Sequence, residues 1–213
     1  MPSVSARPHL TRRRILGLLG AAAAFPLTPA EAAQAVGEPM NLLPPGYLDI
    51  VDEPGRIAIP GEEQLAKHLQ RTPVFLRMNY PVGSIIIDTS ERFLYLSTGP
   101  QKAFRYGVGV GKEGFQWGGI LKVSRKAEWP SWRPPADMLK RNPKLPTFME
   151  GGPGNPLGAR ALYLGDTIYR IHGTNQPNSI GHAMSSGCFR MLNEHVIDLY
   201  GRVPIGTLVA VRR

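Results

Sequence analysis

Ile171-His172-Gly173-Thr174-Asn175-Gln176-Pro177 and Ser185-Ser186-Gly187-Cys188-Phe189-Arg190-Met191 are the two stretches around which the rest of the chain is organised. Each sets a chemically active side chain among small residues, close to a short β-prone run. Cys188 is the only cysteine, which excludes an internal disulfide and a CxxC metal knuckle. It is a buried thiol, an intermolecular link or a nucleophile. A cysteine nucleophile works as its thiolate, which a nearby imidazole generates by taking the proton while an acceptor on its other nitrogen holds the ring. His172 is the candidate base. Gly187 permits a tight turn in which the backbone N–H groups of Gly187 and Cys188 can meet a developing oxyanion. The competing reading is plain burial, since free cysteine is among the most buried residue types. A Ser-Ser-Gly loop, instead of an apolar face, favours chemistry. Zinc held by His172, His182 and Cys188 matches no usual ligand spacing, so no metal and no cofactor is expected. His9, His68 and His195 are assigned no role, with His195 placed on the solvent side of the last helix.

Around these stretches the texture is that of a β protein. Ser84–Asp88 and Arg92–Ser97 are β-rich runs flanking Thr89-Ser90-Glu91, which predicts a hairpin. Further strands are expected at Phe104–Val110, Gly119–Ser124, Ala161–Leu164, Thr167–His172 and Thr207–Arg212, a mainly β fold of sandwich or barrel-like kind. Residues 129–156 hold seven prolines and three glycines, with a short helix at Ala136–Arg141 started by Pro134 and Pro135. So long an ordered loop is usually functional. Asn193 is expected to cap a helix over Glu194–Val203, because Val196, Leu199, Tyr200 and Val203 fall on one face. Residues 36–81 read as a lead-in, a tether or small packing element, with a helix at Glu62–Arg71.

The first 35 residues read as an export signal. Thr11-Arg12-Arg13-Arg14-Ile15-Leu16 leads into an apolar run to Leu27, too short for a membrane span of ~20 residues. Ala30-Glu31-Ala32 and Ala33-Gln34-Ala35 both offer small-x-small cleavage patterns, and the paired arginines resemble a twin-arginine signal. No permanent span remains after cleavage, and a periplasmic location is expected. The whole chain of 213 residues carries a net charge of +9, and about +6 remains beyond Ala35. Such a balance suits an anionic polymer. No nucleic-acid motif is present, so a carboxylate-rich wall or a membrane surface is the expected partner, and nucleic acid is not.

His172-Gly173-Thr174 with Ser185 to Met191, Asn193, Leu199-Tyr200 and Val203-Pro204-Ile205-Gly206-Thr207 strongly resembles the catalytic domain of the L,D-transpeptidases. The likeness covers residues 82–213 and also takes in Val82–Leu96, Tyr106–Gly111, Lys126–Pro130 and Asn155–Leu164. It implies a β-rich domain that cross-links peptidoglycan stem peptides through a cysteine acyl-enzyme. By that resemblance Cys188 matches the nucleophile, His172 the base and Gly173 the residue whose carbonyl orients the imidazole. Ser186, Gly187 and Arg190 fall in the oxyanion and substrate-binding set. The family motif commonly has histidine where this chain has Ser186. The acceptor implied is a second stem, water, or an outer-membrane lipoprotein. A rival of another class is a non-catalytic wall-binding module, against which an intact His172 and Cys188 argue.

Overall fold

The computed structural model describes residues 51–52 and 58–213, and the export signal read at 1–35 lies outside the described residues. Within them the strands are β1 (Val51–Asp52), β2 (Thr72–Phe75), β3 (Ile85–Asp88), β4 (Phe93–Gly99), β5 (Lys102–Gly107), β6 (Val110–Gly111) and β7 (Gly119–Glu128). They continue with β8 (Arg160–Leu164), β9 (Arg170–His172), β10 (Ala183–Ser185), β11 (Phe189–Arg190) and β12 (Leu208–Arg212). Two α-helices accompany them, α1 (Ala136–Arg141) and α2 (Asn193–Arg202). Ten strands form one sheet in the order β1-β2-β5-β4-β3-β12-β7-β8-β9-β11, and β10 pairs with β6.

The hairpin expected from the Ile-rich run is β3 and β4, with Ile85 opposite Leu96 and Asp88 opposite Phe93. Its turn is fixed by Asp88, whose Oδ1 accepts the N–H groups of Ser90 and Glu91, both at 2.9 Å. The Asp88 Oδ2 accepts from Arg212 Nε at 2.7 Å, tying the turn to the last strand. β12 is the central strand, parallel to β3 and antiparallel to β7. β7 then turns the sheet. Gly119–Lys122 pair with β12, while Val123–Glu128 pair with β8 across an irregularity between Val123 and Arg125. An extra residue of this kind bends a strand and strengthens its twist. Both parts of the sheet share one core, in which Ile85, Leu94 and Tyr106 meet Leu162, Ile171, Phe189 and the α2 residues Val196 and Leu199.

Three expectations about helices change. Glu62–Arg71 is two 3₁₀ turns, Glu62–Gln64 and Lys67–Leu69, broken at Leu65 and Ala66, which are extended with ψ near 151° and 142°. The break serves Glu62, whose buried carboxylate accepts from Ile59 N and Arg71 N, each at 3.0 Å. His195 is fully buried, not solvent-facing, because this lead-in covers that side of α2: His195 Nε2 lies 3.0 Å from Glu62 Oε2. Nor does Asn193 cap the helix. It is the first helical residue, following Leu192, and its side chain is used elsewhere. The strand β2, with Pro73 in it, was not expected from the sequence.

Candidate active site

A parallel pair of short strands brings the two motifs together. β11 lies beside β9 with Phe189 next to Ile171 and Arg190 next to His172. Ile171 and Phe189 are buried in the core. Strand alternation sends their neighbours to the opposite face, and Arg170, His172, Cys188 and Arg190 all line one cavity of about 350 Å³. Sixteen residues of sequence separation are thereby closed by one ladder register.

The imidazole is held on one side. His172 Nδ1 lies 2.6 Å from the carbonyl oxygen of Gly173. A carbonyl only accepts, so Nδ1 carries the hydrogen and Nε2 keeps its lone pair. Burial pulls the His172 pKa down to about 3, and the charges of Arg190 and Arg170 push the same way against the Gly173 bond. The ring is therefore neutral at neutral pH. Gly173 has no room for a side chain, as a Cβ there would lie 2.2 Å from Asn193 Oδ1. That oxygen accepts from Ala159 N at 3.0 Å and Thr174 N at 3.2 Å. Asn193 thus ties the end of β9 to the turn before β8.

The thiol side is set by a tight turn. Gly187 has φ +102°, and a Cβ would meet the Tyr169 ring at 2.7 Å, so only glycine fits without strain. Trp117 donates its Nε1–H to Gly187 O at 2.9 Å and stacks on Tyr169 with ring centroids 4.4 Å apart. Ser185 Oγ donates to Cys188 O at 2.5 Å and accepts from Gly187 N at 3.2 Å. One of the two N–H groups expected at an oxyanion thus has a partner inside the turn. Cys188 is half-buried, and its Sγ lies 3.6 Å from Ile168 O. Burial raises its pKa, opposed by the charge and hydrogen bonds of Arg170 and by the charge of Arg190. Arg190 is itself lowered by burial and raised by Cys188. Ser186 lines the cavity beside them.

Arg170 is the residue that sequence reasoning missed. Its signal was available, since in Arg170-Ile171-His172 the alternation of a strand puts residues 170 and 172 on one face. The Pro-rich loop supplies the opposite wall through Trp132, Met138, Leu145, Pro146 and Met149. It is closed by a two-way bond between Trp132 and Met149, each N···O distance being 2.8 Å. Among the described residues no group of His, Cys, Asp and Glu is arranged to hold a metal ion, and no helix is long and apolar enough to cross a membrane.

Known proteins resemble this chain in sequence and in fold. A family model for the L,D-transpeptidase catalytic domain matches residues 83–211. "Probable L,D-transpeptidase ErfK/SrfK" of Escherichia coli K12 is 30% identical over 216 residues, which covers 89% of this chain and 68% of that protein. "Probable L,D-transpeptidase YbiS" of the same organism is 37% identical over 134 residues, 59% of this chain, but the match spans only 43% of the relative. Among solved structures, an L,D-transpeptidase from Mycobacterium smegmatis aligns over 89% of this chain and 88% of its own with TM-score 0.51 at 13% identity. L,D-transpeptidase 3 from Mycobacterium tuberculosis gives 0.52 at 11% identity over 68% of this chain and 69% of its own. At such identities the two structures speak for the fold alone, a mainly β architecture. With the family model spanning more than half of its length, the chain belongs to the L,D-transpeptidase catalytic-domain family, cysteine-dependent acyltransferases of peptidoglycan.

Proposed function

We propose that this chain cross-links peptidoglycan by attack of Cys188 on the carbonyl of the third residue of a stem tetrapeptide. The observation that carries the reading is the shared face of β9 and β11, which sets a half-buried thiol and a neutral, carbonyl-anchored imidazole in one cavity. Because burial disfavours the thiolate, the thiol keeps its proton until attack. His172 Nε2 then takes that proton as the C–S bond forms. Protonated His172 returns it to the departing D-alanine amine as the C–N bond breaks, leaving a thioester. An acceptor amine closes the cycle, losing a proton to His172, which restores the Cys188 thiol. In the tetrahedral intermediate the oxyanion is stabilised by the Cys188 N–H with Gly187 beside it, and Arg190 holds the loop or a substrate carboxylate. Ser186 serves through backbone and loop shape.

Water as acceptor turns the same site into an L,D-carboxypeptidase, and a lipoprotein amine turns it into a wall-anchoring enzyme. Incubation of the full chain with tetrapeptide-bearing muropeptides, read by mass spectrometry, is expected to give dimers that have lost one D-alanine. Tripeptides alone identify hydrolysis, and unchanged muropeptides overturn the enzymatic reading. The site of action is the periplasm, reached folded through the twin-arginine route signalled by Arg12 and Arg13. Changing both to Lys is expected to leave uncleaved precursor in the cytoplasm. Normal export of that variant contradicts this route.

A further inference from the structure

A second cleft shares a wall residue, Arg170, with the catalytic cavity. Its lining includes Arg125, Trp129, Arg133, Tyr163 and Arg170, and Arg170 also lines the cavity that holds Cys188. The cleft measures about 390 Å³. Three guanidinium groups border it, and among the described residues none of them lies within ion-pairing distance of a carboxylate. The one acid in the lining, Glu128, is paired with Arg160 at 3.2 Å. Arg125 is exposed but not loose, as its guanidinium lies 3.6 Å from the centre of the Tyr163 ring. Arg133 stacks likewise on Phe148 at 4.5 Å. The buried Nε of Arg170 has no hydrogen-bond partner.

Trp129 is a second, independent sign. It has φ +40°, a left-handed conformation that a bulky residue adopts only when its surroundings impose it. They do so here: Trp129 N donates to Ala159 O at 2.8 Å, and a Cβ on Gly151 would lie 1.9 Å from Trp129 O. Trp129 is nonetheless 43% exposed and lines the cleft. A strained, exposed aromatic beside three guanidinium groups that no carboxylate neutralises fits a ligand with a planar anionic group. Arginine forks recognise carboxylates through paired N–H···O bonds, and aromatic rings stacked on the guanidinium planes hold the forks in place.

We propose that this cleft is a subsite for a free carboxylate of the stem peptide whose neighbouring carbonyl enters the Cys188 cavity. The proposal rests on the transpeptidase reading for its choice of ligand. Arg170, common to both walls, places the carboxylate on the same molecule as the reacting carbonyl, so the cleft sets the register of the donor peptide. Arg125 and Arg133 hold the carboxylate by charge-assisted bonds, while the Tyr163 and Phe148 rings hold their guanidinium groups in place.

The test uses the full chain carrying Cys188→Ala, which binds without turnover, and calorimetry with a stem tetrapeptide in two forms, one with free side carboxylates and one with them amidated. The free acid is expected to bind about tenfold tighter than the amide, the size of a charge-assisted bond. Adding Arg125→Gln and Arg133→Gln is expected to bring that ratio close to one, with an unchanged thermal midpoint because both residues are exposed. Acylation of the parent enzyme by the same tetrapeptide is followed separately by intact mass. Acylation without any preference for the acid overturns the cleft and keeps the function. A preference that survives in the double arginine variant also overturns the cleft. Preference lost in that variant, with no acylation of the parent, supports the cleft and overturns the function. Binding of neither peptide overturns both.

Discussion

Cys188→Ala is expected to abolish acylation, with a fall of roughly 10⁵–10⁶-fold in turnover of stem tetrapeptide, the scale seen when a catalytic unit loses its nucleophile. Nothing else in the cavity replaces the thiol. Ser185 and Ser186 offer hydroxyls, but Ser185 Oγ is engaged with Cys188 O and Gly187 N. The fold should survive, because Cys188 is half-buried at the edge of a cavity and its truncation removes little packed volume. Unfolding midpoints in urea check this, with a stability change within about 1 kcal/mol. Normal turnover by a folded Cys188→Ala protein contradicts the assignment of the nucleophile.

The second large effect is at His172. His172→Ala removes the proton acceptor and is expected to slow acylation by roughly 10²–10⁴-fold. Combined with Cys188→Ala its effect should vanish, since the two side chains act as one unit. Ser186→Ala is the matched comparison. A hydroxyl cannot hold a proton at neutral pH, and its contribution is limited to one hydrogen bond of ~0.5–1.5 kcal/mol, about tenfold in rate at most. Acylation rates of the two variants, each with a check on folding, decide between them. An equal fall in both makes the Ser186 hydroxyl a full member of the catalytic unit. The pH profile gives a further handle. Burial lowers the His172 pKa to about 3 from an ordinary value near 6.5, so the base stays neutral and competent through that range. The acylation rate of the parent is therefore expected to show no acid limb near pH 6.5. For stability the sign is opposite in its consequence: the unfolded chain binds a proton at His172 between about pH 6.5 and 3 and the folded one does not. This contribution is present in full above pH 6.5 and is lost as pH falls through that window.

Much of this architecture is written in local pattern. The Ile85-Ile86-Ile87 run and Phe93 to Leu96 declare a hairpin because β-branched and aromatic residues alternate about a polar turn, and Val196 and Leu199 of α2, with Val203 just past its end, are buried as their spacing requires. What was not legible depends on partners distant in sequence. His195 stands on a face of α2 that is polar by local pattern, and it is buried by partners distant in sequence, Glu62, 133 residues away, and the Tyr106 ring. Asn193 has the look of a cap, yet the backbone N–H groups of Ala159 and Thr174 take its oxygen. β2 escaped because Pro73 argues against a strand, although proline is tolerated where its missing N–H is not needed. In the site, the chemistry of the residues names His172 and Cys188 as a candidate pair, beside the reading of Cys188 as a buried thiol. Their meeting was not, since it depends on a parallel pairing of two strands only three and two residues long. Arg170 shares the alternation of His172 and was overlooked because an arginine on a strand ordinarily faces solvent.

The most direct measurement is the intact mass of the full chain, acid-quenched during turnover of a stem tetrapeptide, followed by peptide mapping. A mass increase equal to the tripeptide acyl group, located on Cys188 and matched by released D-alanine, is the predicted result. Product formation with no adduct on residue 188, or an adduct at any other side chain, contradicts the account.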